Sequence, residues 1–600
     1  MDLVTIILML MRKQENYQYI TMKKIITLIL AMSAFMPSAK AQITETAADA
    51  VRNMGLGWNL GNTLDAYSCT TTDVTKDSYW GGQGLESETC WGQPSTTRDL
   101  ITMMKNAGFG TVRVPVTWFN HMDKDGNVNA AWMARVKEVV DYVVGNGMYC
   151  ILNVHHDTGA DSDSFYSWLK ADETIYANNK ARYEHLWQQI ASVFKDYDEH
   201  LVFEAYNEML DTKNSWCYAS FNTSGQYNSA IATSAYNAIN KYGQSFVDAV
   251  RATGGNNASR NLIVNTYCAA NGYGTWSSHL KEPVTMKTLP DDTSTGHIIF
   301  EVHDYPNILS NNKERSMSDI KNEVDGTISI LNTYLVSKGA PVIIGEWGTA
   351  NVDSGSGGTD YDLHRDLMFQ FAEYFVKQCK ANNIGTVYWM GLSDGLYRSY
   401  PAFNQADLAE CISKAYHGST AGYEFPTAGN TSSVVAFEGE KTIYGYNGNV
   451  SINSDAIKMV GEPLTLSVTY KLTATNRWGY NIQLLDGGWT KTSFIVDGKT
   501  YSGDCDPSSV YGSEVGVEHT VNITFSDAVY SNISTKGIII QGDGITITKV
   551  VLSAGSTGIT PVVADDARDA DAAVYNMAGQ RMASPRHGLY IKGGKVYLAK

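Results

Sequence analysis

The chain has 600 residues, 43% of them hydrophobic, a length that suggests about two to four domains with room for sizeable cores. Its formal charge is −16, and residues 1–41 hold five basic against two acidic side chains, so the remainder carries −19. A surface that acidic repels phosphate backbones and excludes nucleic acid as the expected partner, while neutral ligands stay open.

At the amino terminus Lys23 and Lys24 precede an apolar run over 25–36, and Ala39 and Ala41 form a small-residue cleavage pattern before Gln42. This three-part order is that of a secretory signal peptide, which predicts export. Residues 1–21 read as an extension ahead of a start at Met22, because the apolar run 3–11 is too short to span a bilayer. Eight cysteines are too few for a disulfide scaffold. Cys69 and Cys90 flank one loop and are candidates to pair, whereas Cys150 reads as a small buried side chain. No CxxC, zinc-spaced His/Cys cluster or HEXXH appears, so neither a metal nor another cofactor is expected.

Downstream, 55–62 (GLGWNLGN) reads as a strand running into a polar exit. A helix follows over 94–107 with Ser95, Thr96 or Thr97 as cap, then the strand TVRVPV from Thr111, a helix over 130–144, the strand YCILNV from Tyr149 and a helix over 180–194. The apolar run LVFEAYNEML, 201–210, ends its strand as Tyr206, Asn207 and Glu208 arrive. The second half repeats the pattern: helix 234–252, strand NLIVNT from Asn261, strand HIIFEVHDY from His297, helix 316–336, strand PVIIGEWG from Pro341, helix 361–381, strand GTVYWM from Gly385 and a last helix over 406–416.

Eight apolar strands alternating with helices predict a (β/α)8 TIM barrel over 42–416. A doubly wound open sheet is the alternative, but no GxGxxG or phosphate loop follows any strand. In such a barrel the active site lies at the strand exits, so the polar residues there should converge: Asn62, Arg113, His155 with His156, Asn207 with Glu208, Thr266, His303 with Tyr305, Glu346 and Trp389. Glu208 or Glu346 alone reads as a solvated or salt-bridged carboxylate. Facing each other across one mouth, they are candidates for paired acid chemistry.

Together GWNLGNTLDA, VRVPVTW, NVHHD, YNE, HDY and GEWG resemble glycoside hydrolase family five, the cellulase-type branch of the retaining barrel hydrolases. GWNLGNTLDA is most similar to its endoglucanase and xyloglucanase subgroup. The resemblance runs over roughly residues 50–415 and seven strands; the eighth departs, with MGLSDG after Trp389 where the subgroup commonly has an Asp-Asn-Gly turn. It implies that Glu208 is the acid and base and Glu346 the nucleophile. The residues themselves fit: a glycosidic oxygen needs a proton to leave, and the developing oxocarbenium ion needs a carboxylate on its other face. Arg113 and Tyr305 are expected to donate to Glu346, Asn207 to bind the sugar 2-hydroxyl, His155 and His303 to complete the polar wall, and Trp389 to stack under the reacting sugar. His156 is read as orienting a neighbour, and Asp157 is given no role. Trp58, Trp91 and Trp118 either line distal sugar subsites or fill core.

Residues 417–433, rich in Gly, Ser and Thr, read as a linker. Over 434–553 short alternating segments such as LTLSVTYKL and HTVNITF predict a β-sandwich. It is either a carbohydrate-binding module, with Trp478, Tyr480 and Trp489 as stacking residues, or a structural immunoglobulin-like spacer. Another linker is expected at 554–572. The tail, 573–600, resembles the sorting domains that carry Bacteroidetes proteins through the type nine secretion system, on VYNMAGQ and HGLYI; a strand pair completing the sandwich is the competing view. The whole predicts an exported, monomeric, cofactor-free, retaining endo-β-1,4-glucanase acting on plant-type β-glucans such as cellulose, mixed-linkage glucan or xyloglucan. A mannanase or xylanase on the same barrel, or a non-catalytic polysaccharide-binding protein, are the alternatives.

Overall fold

In the computed structural model of the chain, eight parallel strands close into a barrel: β1 (Leu56–Asn59), β2 (Thr111–Val114), β3 (Tyr149–Asn153), β4 (Leu201–Glu204), β5 (Leu262–Ala270), β6 (Ile298–Asp304), β7 (Val342–Trp347) and β8 (Gly385–Tyr388). Each pairs with its neighbours in chain order, and β1 closes on β8. The structure describes residues 43–221, 227–274, 284, 288–311, 313–349, 363–389, 391–428 and 431–554, and the backbone of the tail strands. The expected signal peptide and nearly all of the linker expected at 554–572 lie outside the described residues.

The strands are buried on both faces, which is why they read as apolar runs. Their helices begin where a side chain satisfies the first N–H groups. Thr97 caps Arg98–Asn106, so of the three cap candidates it is the one used. Asp172 starts the next long helix at Glu173 rather than 180, and Asn228 starts another at Ser229 rather than 234. Periodicity alone misses these first turns because most of their residues are exposed or only half-buried.

One barrel end is plugged by the helix Ala47–Met54, whose Ala47, Ala50, Val51 and Met54 cluster with Tyr149, Ile151, Val202, Ile263, Ile299, Ile343 and Val387. Each buried Val, Ile or Met of this cluster stabilises the closed barrel by about 1.5–3 kcal/mol. Two residues further along the same strands the inward side chains are Asn153, Glu204, Asn265 and Glu301, since side chains alternate with period two. Burial thus changes from apolar plug to polar floor within one pleat.

The first compact unit ends at Ala428. Residues 417–428, expected as linker, pack on the barrel instead: the Glu424 N–H donates to Asn106 O at 2.9 Å and the Phe403 N–H to Pro426 O at 2.7 Å. The second unit begins at Gly429. Its strands between Ser433 and Ala554 form a six-stranded and a four-stranded sheet, and Leu464–Leu472 buries every second residue. The tail strands Val574–Asn576, Arg581–Met582, Gly588–Lys592 and Lys595–Ala599 pair with one another in a separate sheet, so they do not complete either of the others.

Candidate active site

Arg113, on β2, is fully buried and spends every N–H it has. Nε and Nη2 grip Glu204 at 2.7 and 2.8 Å, Nη1 donates to Asn59 at 3.0 Å and to Glu346 at 2.7 Å, and Nη2 donates to Asn207 at 3.0 Å. Burial works against its charge, but Glu204, Glu301 and Glu346 more than offset that and hold the guanidinium protonated. Glu204 is pushed up by burial, yet the bidentate Arg113 contact brings its carboxyl below the ordinary range. With its oxygen taken by Arg113, Asn207 has its amide NH2 available for a ligand hydroxyl.

Glu346 reaches the barrel mouth through a bulge. Val302 pairs with Ile344 but His303 pairs with Glu346, and on the other side Thr386 pairs with Ile344 but Tyr388 with Trp347. The extra residue in β7 breaks the alternation that would have sent Glu346 outward from the inward Ile343. Its carboxylate accepts from Arg113 and, at 2.6 Å, from the Tyr305 hydroxyl. Gly345 is required beside it, because a Cβ there would stand 1.7 Å from Glu301 Oε1. Glu208 follows β4 and is the more exposed of the pair, its side chain 24% accessible against 6% for Glu346. One oxygen of each lies within 4.8 Å of the other.

His303 stands between them. Its Nδ1–H donates to Glu208 Oε1 at 2.9 Å and lies 3.4 Å from Glu346 Oε2, while Nε2–H donates to Glu301 Oε1 at 3.3 Å. Burial opposes its charge, but Glu346, Glu208 and Glu301 push the imidazole up to about 10, so both nitrogens carry protons at neutral pH. His155 is the opposite case, lowered by burial and then by His156 and Arg113. The Val116 N–H donates to Asn153 Oδ1 and Asn153 Nδ2–H to Glu204, which turns that amide so that it also donates to His155 Nδ1 at 3.0 Å. His155 therefore keeps its proton on Nε2, 4.0 Å from Glu346 Oε1. Two groupings have metal-like spacing, Asp65–His155–His156 and Glu208–His303–Glu346. In the second, both His303 nitrogens are already turned to carboxylates, Nδ1 to Glu208 and Nε2 to Glu301.

Of the residues expected at the mouth, Arg113, His155, Asn207, Glu208, His303, Tyr305 and Glu346 come together. Asn62 is a left-handed turn residue (φ 60°) whose N–H donates to Asp65, and the β1 side chain that meets Arg113 is Asn59. Thr266 closes an irregular stretch of β5 by donating to Ala270 O at 2.9 Å and reaches neither glutamate. His156 lies 3.6 Å from the buried Asp65 and 5.2 Å, ring to ring, from Trp91. Asp157 accepts from the Trp118 and Phe119 N–H groups and the Trp168 indole, a loop clamp whose carboxyl burial pushes up to about 6. Trp58 and Trp118 are buried core; Trp91 is 39% exposed. Trp389 is half-buried with its ring parallel to His155 at 5.8 Å. Beyond it, Asp394 accepts from Gln93 and Arg398 donates to Gly61 O, so the departing turn is tied to the β1 loop. Cys69 and Cys90 are both free thiols, and their segments are joined instead by the Trp91 indole N–H on Tyr67 O at 2.9 Å. Asn59, Asn153, Glu204 and Glu301 were missed. Counting back by two from His303 along β6 reaches Glu301; nothing in the apolar pattern flags the other three.

A family model for cellulases, glycosyl hydrolase family 5, matches residues 73–394. The chain belongs to glycosyl hydrolase family 5. The hydrolase is 32% identical to Endoglucanase B of Neocallimastix patriciarum over 64% of this chain and 74% of that one, and 34% identical to Endoglucanase A of Clostridium longisporum over 60% and 62%. Among solved structures it is similar to a broad specificity endoglucanase from an uncultured bacterium, with 60% identity, a TM-score of 0.58, and coverage of 63% of this chain and 98% of that chain. It is also similar to a family 5 enzyme of Prevotella bryantii B14 solved in complex with a xyloglucan tetradecasaccharide, with 42% identity, a TM-score of 0.54, and coverage of 63% and 100%. It is a glycoside hydrolase of the endoglucanase type.

Glu301 gives the hydrolase a pH signature of its own. Burial first, then Glu204, push its carboxyl up to about 7. The native state thus holds a proton that the unfolded chain releases at lower pH, and the stability this contributes is present in acid and is lost as pH rises through 7. Replacing Glu301 by Gln keeps an acceptor for His303 and removes the ionisation. The variant is expected to gain on wild type by on the order of 2 kcal/mol between pH 5 and pH 8. Denaturant unfolding at the two pH values measures it, and parallel behaviour of the two proteins would assign the effect elsewhere.

Proposed function

We propose that the protein is an exported, retaining endo-β-1,4-glucanase that cleaves internal bonds of β-glucans such as cellulose, mixed-linkage glucan or xyloglucan by double displacement. The observation that carries this is the approach of Glu208 and Glu346 to within 4.8 Å, oxygen to oxygen, because retaining enzymes hold their carboxyl groups about 5–5.5 Å apart and inverting ones about 6.5–9.5 Å. Export rests on the sequence of the leader, and passage through the type nine machinery on the resemblance of the tail.

In the first step Glu208 protonates the glycosidic oxygen as Glu346 attacks the anomeric carbon, so the aglycone leaves as an alcohol and a glycosyl ester forms on Glu346. In the second, Glu208 takes a proton from water, which displaces Glu346 with a second inversion. Arg113 and Tyr305 keep the attacking carboxylate aimed, one on each oxygen. The Asn207 amide serves the 2-hydroxyl, where a contact strengthens at the transition state. His155 Nε2–H is a further donor at the mouth, and Trp389 presents a flat face parallel to it.

Reducing ends released from carboxymethylcellulose, xyloglucan, mixed-linkage glucan, mannan and xylan test the reading. Release from the glucans with retained anomeric configuration is the expected result. Release confined to mannan or xylan would move the specificity, and none from any polymer would favour a polysaccharide-binding protein.

A further inference from the structure

In the four-stranded sheet of the second unit, Asn481–Asp486 runs beside Ile538–Asp543. Asn481 and Gln483, two apart, stand on one face of their strand; Gln541 is the ladder partner of Gln483 on one side and Asp504 on the other. Their side chains form one hydrogen-bonded row. Gln541 donates to Gln483, Gln483 and Asn481 donate to Asp504 Oδ1, and Asn481 donates to the Tyr446 hydroxyl at 2.6 Å. Lys491 neutralises Asp504 at its other oxygen. Among the described residues no bond uses the Tyr446 hydroxyl proton, Asn481 Oδ1 or Gln541 Oε1, so the row is pre-oriented with donor and acceptor capacity to spare.

At the end of this row stands Trp478, 63% exposed, its ring 5.8 Å from that of Tyr446. The backbone that carries this exposed indole is pinned. The buried Asp543 accepts from the N–H groups of Arg477, Trp478 and Gly445 at 2.8, 2.6 and 2.7 Å, and the Arg477 guanidinium lies 4.3 Å from the ring centre. Gly445, at φ 57°, sits where a Cβ would crowd Arg477 and the indole at 3.0 and 3.4 Å. Trp489 differs. It occupies the hairpin turn after the same strand, where Asp486 is consumed by Gly488, Thr490, Asn532 and Lys536, with no amide row beside it. Tyr480 spends its hydroxyl on Thr473 O.

We propose that this face binds a β-linked glucan chain, with a pyranose ring on Trp478 and its hydroxyls bonded to Tyr446, Asn481 and Gln541. A pyranose offers an apolar C–H face and edges of hydroxyls that both donate and accept, which a flat indole beside a row of amides and a phenol matches. The ligand class rests on the proposed function of the barrel.

Retardation of the intact chain in native gels cast with xyloglucan or mixed-linkage glucan, and its depletion by insoluble cellulose, test the site. Trp478→Ala is expected to weaken retention about tenfold or more, Gln541→Ala by several-fold, and Trp478→Tyr by little, while Trp489→Ala stays within about twofold of wild type. Circular dichroism checks folding, and Trp478→Tyr and Gln541→Ala carry the test if Trp478→Ala does not fold. Hydrolysis of a short soluble oligosaccharide should be unchanged in all four. A wild type that is retained but hydrolyses nothing would sink the barrel reading and leave this site standing. Wild-type retention by Trp478→Ala, equal loss in Trp489→Ala, or no retention of wild type by any of the polymers overturns the site.

Discussion

Glu346→Gln is expected to abolish turnover on every glycoside, with a fall in kcat on the order of 10⁵-fold, because an amide cannot form the glycosyl ester. Glu208→Gln should behave differently. Loss of a positioned general acid costs about 10²- to 10⁴-fold on a natural polymer, where the leaving alcohol must be protonated. On an aryl glycoside whose phenolate leaves unaided the first step should survive, so the ester on Glu346 should accumulate as a burst. The environments of the two residues support this division. Glu346 is gripped on both oxygens by Arg113 and Tyr305, which suits a nucleophile that must not rotate. Among the described residues Glu208 is hydrogen-bonded only by His303, and it is the more accessible to a leaving group and to water. Steady-state and burst kinetics on polymer and aryl substrates measure both variants; substantial polymer hydrolysis by Glu346→Gln would show the assignment to be wrong.

Arg113→Ala is expected to damage both rate and fold. The sequence alone suggests a variant that folds and merely works poorly, but the guanidinium is wholly buried and satisfies Glu204, Glu346, Asn59 and Asn207 at once. Removing it leaves two carboxylates in the floor of the mouth without their shared cation, at a cost of about 3–5 kcal/mol. The part that folds should lose about 10²- to 10³-fold in kcat, since a donor to the reacting carboxylate is gone. Arg113→Lys keeps a charge but loses the fork that serves Glu204 and Glu346 together, so it should restore stability more than rate. Chemical denaturation and steady-state kinetics of both variants check this. A lysine variant with wild-type rate would place Arg113 outside the machinery.

The alternation of eight apolar runs with helices determined the barrel by itself, because strands buried on both faces can hide few polar residues and the barrel puts the polar ones at their ends. That logic also located Glu208, Glu346, Arg113, His303 and Tyr305. It failed where alternation is broken or where a residue's role depends on a distant partner. The β7 bulge that turns Glu346 inward is visible only in the register with β6 and β8. Glu204 and Asn153 lie within apolar strands and become functional supports only because barrel closure sets them against Arg113 and His155. The apolar run continues through Leu60 and so points past the strand to Asn62, whereas the side chain that meets Arg113 is Asn59, which ends the strand ladder. In the second unit the aromatic residues were legible but their use was not: Trp478, Tyr480 and Trp489 look alike in sequence. Only cross-strand pairing assembles Asn481, Gln483, Gln541 and Asp504 beside one of them. Sequence determined which residues could do chemistry, since that depends on side-chain type and local period; tertiary structure decided which ones do it together, since proximity between strands far apart in the chain is set by closure, register and a single bulge.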